Sequence, residues 1–341
     1  MPSNQNYLAD TRAYPRLVSE AIQSLNMFIA DQVCPKIQVD NPVGSVLREN
    51  SRNFLSAANG QSAIVADGAP RNELAQFDRD YIQFTLSHLG FKHNISRNTE
   101  RYSAYAKNSG ISEINRAISI VTRAMMLEKE RLAADLFFDG TNWNTNTCTA
   151  LFGSQMGDAG ATPISYLRDL QNTQMKTAGG IMPDTLIIGF DLKVALSNSP
   201  EARGYALIDG TTSGIAGGGA PFMSDDALAQ FIANSLSNPS MRVLFAGALA
   251  DSANPGQAGS NSLLWTGDNL WMGTTGTANA AVTGNQVTAS PVGALNIYSE
   301  ALTVRSEANA RDMGTCVYGD EYMGFIKVNQ DLGYTLTDCL A

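Results

Sequence analysis

Apolar and polar positions change their rhythm several times along the chain, and each rhythm predicts an element. From Pro15 to Ile29, the residues Leu17, Ala21, Ile22, Leu25, Phe28 and Ile29 recur every three or four positions, the spacing of an amphipathic helix. Pro15 suits its first turn, and Pro35 bars its continuation. A helix so near the start of the chain has few sequence neighbours to cover its apolar stripe, so a partner is expected elsewhere, on another subunit. Leu17, Leu25 and Phe28 are therefore candidate subunit contacts. From Cys34 to Val39 the chain turns extended, with Ile37 and Val39 alternating against Lys36 and Gln38.

Between Ser45 and Ser96 lies a polar stretch rich in Arg, Asn, Gln and Ser that ends in YIQFTLSHLGFKHNIS. There Ile82, Phe84 and Leu86 alternate with Gln83, Thr85 and Ser87, which predicts a strand with one buried face. A long two-stranded excursion is expected, and such a ribbon generally needs a surface to lie on. Arg48, Arg52, Arg71 and Arg79 lie along it beside Glu49, Glu73, Asp78 and Asp80. Arginine is favoured in interface ion pairs, so these four arginines are further candidate subunit contacts. Charge reversal at Arg71 and Arg79 is expected to harm assembly more than folding.

The strongest periodicity follows, from Ser112 to about Phe138. Ile114, Ile118, Val121, Met125, Leu132 and Leu136 form one stripe, with Glu113, Arg116, Arg123, Lys129, Glu130 and Asp135 read as charge around it. Ser112 is placed to cap this helix and Gly140 to stop it, and its length would be roughly 40 Å. Beyond Met156 an α/β rhythm predicts helices over 164–178, from Asp191 to Leu196 and from Asp225 to Leu236, with buried strands at TLII (185–188) and MRVLF (241–245). The stretch GTTSGIAGGGAP reads as a flexible loop, and the uncharged run from Asn269 to Ser299 as turns and short strands. Extended pieces are expected around 301–304, 315–318, 323–328 and 334–336. The fold class is α+β.

Composition narrows the functional classes. The 341 residues are 44% hydrophobic and 16% charged, which suits a folded chain rather than a disordered one. With 32 acidic against 23 basic side chains, and only seven lysines, the net charge is −9. That argues against a protein whose main task is gripping nucleic acid. Cys34, Cys148, Cys316 and Cys339 lie far apart and read as reduced, packed thiols. No secretory signal and no apolar run of membrane-spanning length is visible, so a soluble protein made in the cytoplasm is expected.

A search for chemistry ends without a candidate: catalytic, cofactor-binding and metal positions are all read as none. His88 and His93 are five apart on a strand-like segment and point to opposite faces, poor geometry for one metal. There is no Walker A loop, no G-x-S-x-G elbow and no dinucleotide-binding glycine pattern. Asp225 with Asp226, Asp320 with Glu321 and Glu128 with Glu130 read as caps and solvated positions. Ser224 and the two aspartates that follow it are placed to cap the next helix.

The order of elements carries more than any motif. It runs from a terminal helix through FIADQVCPKIQVD, a polar excursion, a long helix and a mixed lobe. MPDTLIIGFDLKVALSNSPEARGY, MRVLFAGALADSANPGQAGSNSLLWTGDNLWMG and DLGYTLTD complete it. Together these resemble the major capsid protein of tailed bacteriophages, with the Hong Kong 97-type fold, over nearly the whole chain. The resemblance implies an N-terminal arm over 1–33, a first peripheral segment over 34–45, an extended loop over 46–96, a peripheral domain with the spine helix over 97–163, an axial domain over 164–270 and C-terminal peripheral strands over 271–341.

It also implies a function: a structural shell protein, not an enzyme and without cofactor, that self-assembles as hexamers and pentamers around phage double-stranded DNA. Its partners would be itself, portal and scaffolding proteins, a decoration protein and DNA held without sequence-specific binding, with no membrane. It would be made in the cytoplasm of a host bacterium and reside in the virion. Some members cross-link through a lysine in the extended loop, but no lysine lies between Val46 and Phe91, so none is expected by that route. The arm-like pattern begins almost at Met1, so scaffolding is expected as a separate protein or as a segment already removed. The alternatives are an encapsulin-type compartment shell and, from another class, an intracellular α/β enzyme with its site in the central lobe. Removal of residues 1–33 is expected to leave a folded subunit that assembles poorly.

Overall fold

The computed structural model describes residues 12–13, 28–49, 79–99, 113–158, 160–203, 224–251, 261–276, 281–283, 286–288, 291–309 and 314–340. The predicted terminal helix, except for Phe28 and Ile29, the tip of the polar excursion, Ser112 and the glycine-rich loop lie outside the described residues. Helices among the described residues include α1 (Ala30–Val33), α2 (Glu113–Phe137), α3 (Cys148–Phe152), α4 (Pro163–Thr177), α5 (Phe190–Asn198) and α6 (Asp225–Ser235).

A five-stranded central sheet takes strands from distant parts of the chain. Its order is Asn144–Thr147, Gly333–Thr337, Leu270–Gly273, Thr185–Gly189 and Arg242–Ala246. The runs TLIIG and LWMG are buried at every position, as expected for strands covered on both faces. Leu186, Ile188, Leu270 and Met272 meet α4, α5 and α6 in one core. Ile187 and Trp271 point the other way, into a second core with Phe137, Trp143 and Trp265. Trp271 packs edge-on to Phe137 at 4.7 Å and to Trp143 at 5.3 Å between ring centroids. Gly273 and Gly333 face each other across this sheet. A Cβ on Gly333 would collide with the Trp143 ring, so the indole can lie flat on the strand only because that position is glycine.

The second five-stranded sheet is built around two long antiparallel strands, Ala294–Asn309 and Gly314–Lys327. Ser87–Ile95 flanks the latter, while Arg12–Ala13 and Lys36–Gln38 pair with the former. The sequence pattern suggests shorter separate pieces, at 301–304, 315–318 and 323–328. The structure keeps the strand continuous for a packing reason. A Cβ on Gly319 would come within 2.7 Å of Val121 Cγ1, so the glycine lets α2 settle closely on the sheet. Ile118, Val121 and Met125 of α2 complete that core with Ile95, Val304 and Val317.

The stripe read along α2 holds in its first half, and it then rotates toward Ala133, Ala134 and Phe137. Lys129 and Glu130, expected at the surface, are instead 3% and 0% exposed. Met125 is four residues before Lys129, one helical turn, so the buried stripe passes directly through that position.

The polar excursion begins as an antiparallel ribbon, Val43–Glu49 with Arg79–Thr85. Val46 and Phe84 face a small core with Ile37, Leu86, Leu295 and Ile297, while Tyr81, Gln83 and Thr85 face outward. The predicted strand through residue 95 breaks at Leu86, where Ser87 begins pairing with a different sheet.

Candidate functional site

Hydrogen bonds and ion pairs from distant segments meet at a joint where the chain entering from residues 28–36 meets α2, the central sheet and the segment around Trp265. Its centre is α1, four residues long and too short to hold its own shape, since helix nucleation is unfavourable and is recovered only over many residues. Tertiary contacts hold it at both ends. The Ala30 amide donates to Glu130 Oε1 at 2.6 Å, and Trp265 Nε1 donates to Glu130 Oε2 at 2.7 Å. At the other end Arg242 donates to the carbonyls of Gln32 at 2.9 Å and Val33 at 3.4 Å. Carboxyl oxygens that accept at the N-terminus and a guanidinium that donates at the C-terminus satisfy backbone groups the short helix leaves unpaired.

Arg242 extends this grip into the central sheet by donating to Thr185 Oγ1 and Thr275 Oγ1 at 2.9 and 2.6 Å. Asp184 beside it accepts from the amides of Thr275 and Gly276, each at 2.9 Å. Below α1, Lys129 meets Glu321 at 2.8 Å, and Asp31 lies 2.9 Å from Lys36. Burial pushes the Glu130 carboxyl up to about 7, although the amide and indole N–H groups pull it down. Glu321 is raised by burial against the pull of Lys129. Burial likewise pushes the Cys34 thiol far up, leaving it protonated and inert.

The candidate contacts are distributed unevenly around this joint. Phe28 is half-buried in its own chain, packed against the core that holds Ile29, Val33 and Phe137. Because Ile29, Ala30 and Val33 are buried there too, deleting residues 1–33 would remove part of the subunit's own core. A deletion that spares the fold must end before Phe28. Arg48 forms an exposed ion pair with Asp80 directly across the ribbon at 3.3 Å. The backbone of Arg79 pairs with Glu49 at the last described rung. Leu17, Leu25, Arg52 and Arg71 lie outside the described residues.

The titratable pairs separate by face. Asp320 faces outward, 3.2 Å from His88 Nε2, whereas its neighbour Glu321 faces the joint. Glu128 pairs with Arg131 at the surface, two residues from buried Glu130. Ser224 caps α6 by accepting from the Ala227 amide, and Asp225 meets Lys193 at 2.7 Å. The four cysteines are free and buried. Among the described residues no cluster of three or more His, Cys, Asp or Glu side chains is arranged to hold a metal, and no helix is long and apolar enough to cross a membrane.

Missed by the sequence reading were Lys129, Glu130, Glu321, Asp184 and Arg242. The available signal was a charged pair on an apolar helical stripe and an arginine opening an otherwise apolar strand.

No family model and no curated protein matches this sequence. Solved structures do match. A phage-related protein from Bordetella bronchiseptica is similar over 96% of this chain and 97% of its own, with 14% identity and a TM-score of 0.64. A virus-like particle from Pyrococcus furiosus is similar over 94% of this chain and 96% of its own, with 10% identity and a TM-score of 0.52. The chain shares its α+β fold with both of these structures over nearly its whole length.

Proposed function

We propose that this chain is a shell subunit, a tailed-phage major capsid protein that assembles as hexamers and pentamers into an icosahedral shell around double-stranded DNA. The observation that carries the reading is the fold shared end to end with a phage-related protein and a virus-like particle. Function does not follow from fold alone, but two features of this chain agree with it. The ribbon base presents Tyr81 and Val43, more than half exposed, on one face and the exposed Arg48–Asp80 pair on the other, apolar and charged surfaces suited to neighbouring copies. A net charge of −9 suits a wall that lines a polyanion without binding it tightly.

In this reading residues before Phe28 act as an arm, 46–96 as the extended loop over a neighbour, and α2 as the spine. Portal, scaffolding and decoration proteins are its further partners, and no enzymatic step is assigned. Light scattering of the purified protein at high concentration, with negative-stain images, tests it. Shells, tubes or six-membered rings are expected, and a uniform compact monomer that persists with co-expressed phage scaffold would overturn the reading. Particles filled with a protein cargo in place of DNA would transfer it to an encapsulin-type compartment.

A further inference from the structure

The joint holds an unbalanced set of buried charges. Among the described residues three charged side chains there are nearly sealed from water, the acids Glu130 and Glu321 and the base Lys129. The surrounding ring adds Asp31 from α1 and Lys36 from the strand after it, which pair with each other and leave the sum unchanged. Arg242 and Asp184, at the far end of α1, add one charge of each sign. One negative charge remains in a region of low dielectric, and the least costly way to remove it is to bind a proton.

Glu130 is the group placed to hold that proton. Glu321 has the Lys129 ammonium at 2.8 Å as a counter-ion. Glu130, fully buried, has as described partners only neutral N–H groups, and Asp31 beside it disfavours its charge further. We infer that the joint is a proton-dependent fastening: with a proton on Glu130, α1 is held against α2 and Trp265, and loss of the proton loosens residues 28–33 from both. The inference stands whether or not the subunit forms a shell.

The sign of the pH dependence follows from linkage. In the fastened state burial raises the Glu130 carboxyl from 4.5 to about 7, while in the loosened state it meets water and returns to its ordinary value. Between those two values the fastened state binds the extra proton, so the opening equilibrium grows about tenfold for each pH unit of increase. Above the upper value both states are ionised and the growth stops, after about 300-fold in all.

Amide hydrogen exchange of the full chain, corrected for intrinsic rates and followed by mass spectrometry from pH 5 to 8.5, reads this directly. Peptides covering 28–36 and 261–267 are expected to open progressively up to neutral pH and then level off, while a peptide from the strand at 185–189 stays protected. A flat profile in the first two peptides would overturn the proposal, and that result needs no variant. Glu130→Gln, permanently neutral, sets an NH2 group where one carboxyl oxygen accepts an N–H, so these peptides are expected to exchange faster overall but with no pH dependence. Retention of the wild-type profile in it would overturn the proposal as well. Glu321→Gln removes the surplus charge and is expected to move the transition to lower pH. Complete loss of the transition in that variant would put the proton on Glu321 and sink the assignment.

Discussion

The ribbon base and the joint use the same kinds of residue to opposite ends. In the ribbon, Arg48 and Asp80 meet at 3.3 Å with both side chains largely in water, where Coulomb attraction is screened and side-chain entropy opposes it. In the joint, Lys129 and Glu321 meet at 2.8 Å with almost no solvent access. There Glu321 cannot lose Lys129 without leaving a poorly compensated ion in the interior, while Lys129 also has Asp31 at 3.8 Å. Ion pairs are therefore ornamental to folding in one region and structural in the other. The ribbon keeps its charges available for another molecule, and the joint spends them inside the subunit.

Removing one member of each pair exposes the contrast most sharply. Lys129→Ala should lower stability by about 3–5 kcal/mol, because it strands Glu321 without a counter-ion. Urea denaturation at pH 7 measures this, and the deficit should shrink in a second titration at lower pH, because burial raises the Glu321 carboxyl and an acid that takes up a proton ceases to be an ion. An equal deficit at both pH values would mean that packing, and not charge, dominates the site. Arg242→Ala comes next. It unpairs two α1 carbonyls and two threonine hydroxyls, and hydrogen bonds to a charged group contribute about 1.5–3 kcal/mol. Its signature should be faster amide exchange at residues 30–34 ahead of global unfolding.

Gly333→Ala isolates shape from charge in the same region. The new methyl meets the Trp143 ring, and overpacking of this kind costs about 1–3 kcal/mol. Thermal melting should fall accordingly, with a changed near-ultraviolet tryptophan signal. The smallest folding effect belongs to Arg48→Ala, under about 1 kcal/mol in denaturant titration. On the reading of this chain as a shell subunit, Arg48→Glu should nevertheless reduce particle yield while leaving the melting temperature within error. A melting loss as large as that of Lys129→Ala would erase the distinction between the two regions.

Much of the architecture could be read from spacing alone. The long helix, the helices near 164–178 and 225–236, the strands TLII and MRVLF, and the alternation through Ile82, Phe84 and Leu86 all stand where periodicity puts them. These signals are legible because a helix or a strand repeats its buried face at an interval that the backbone geometry imposes. The joint was not legible for a complementary reason. Lys129 and Glu130 look like ordinary surface charge on a helix until residues about a hundred positions away, Ala30 and Trp265, arrive to meet them. Similarly, the pieces expected at 315–318 and 323–328 form one strand, across which Gly319 lets α2 lie closely.

Local periodicity, composition and the order of elements were therefore enough to determine the α+β class, the acidic surface and the family resemblance. Tertiary structure decided which apolar faces meet. It brought Leu270–Gly273 and Gly333–Thr337 beside Thr185–Gly189, buried that sheet on both sides, and turned a charged patch of α2 into the fastening of α1. The physical reason is that periodicity is written by neighbours in sequence, whereas the burial of a charge depends on partners that only chain folding brings within 3 Å.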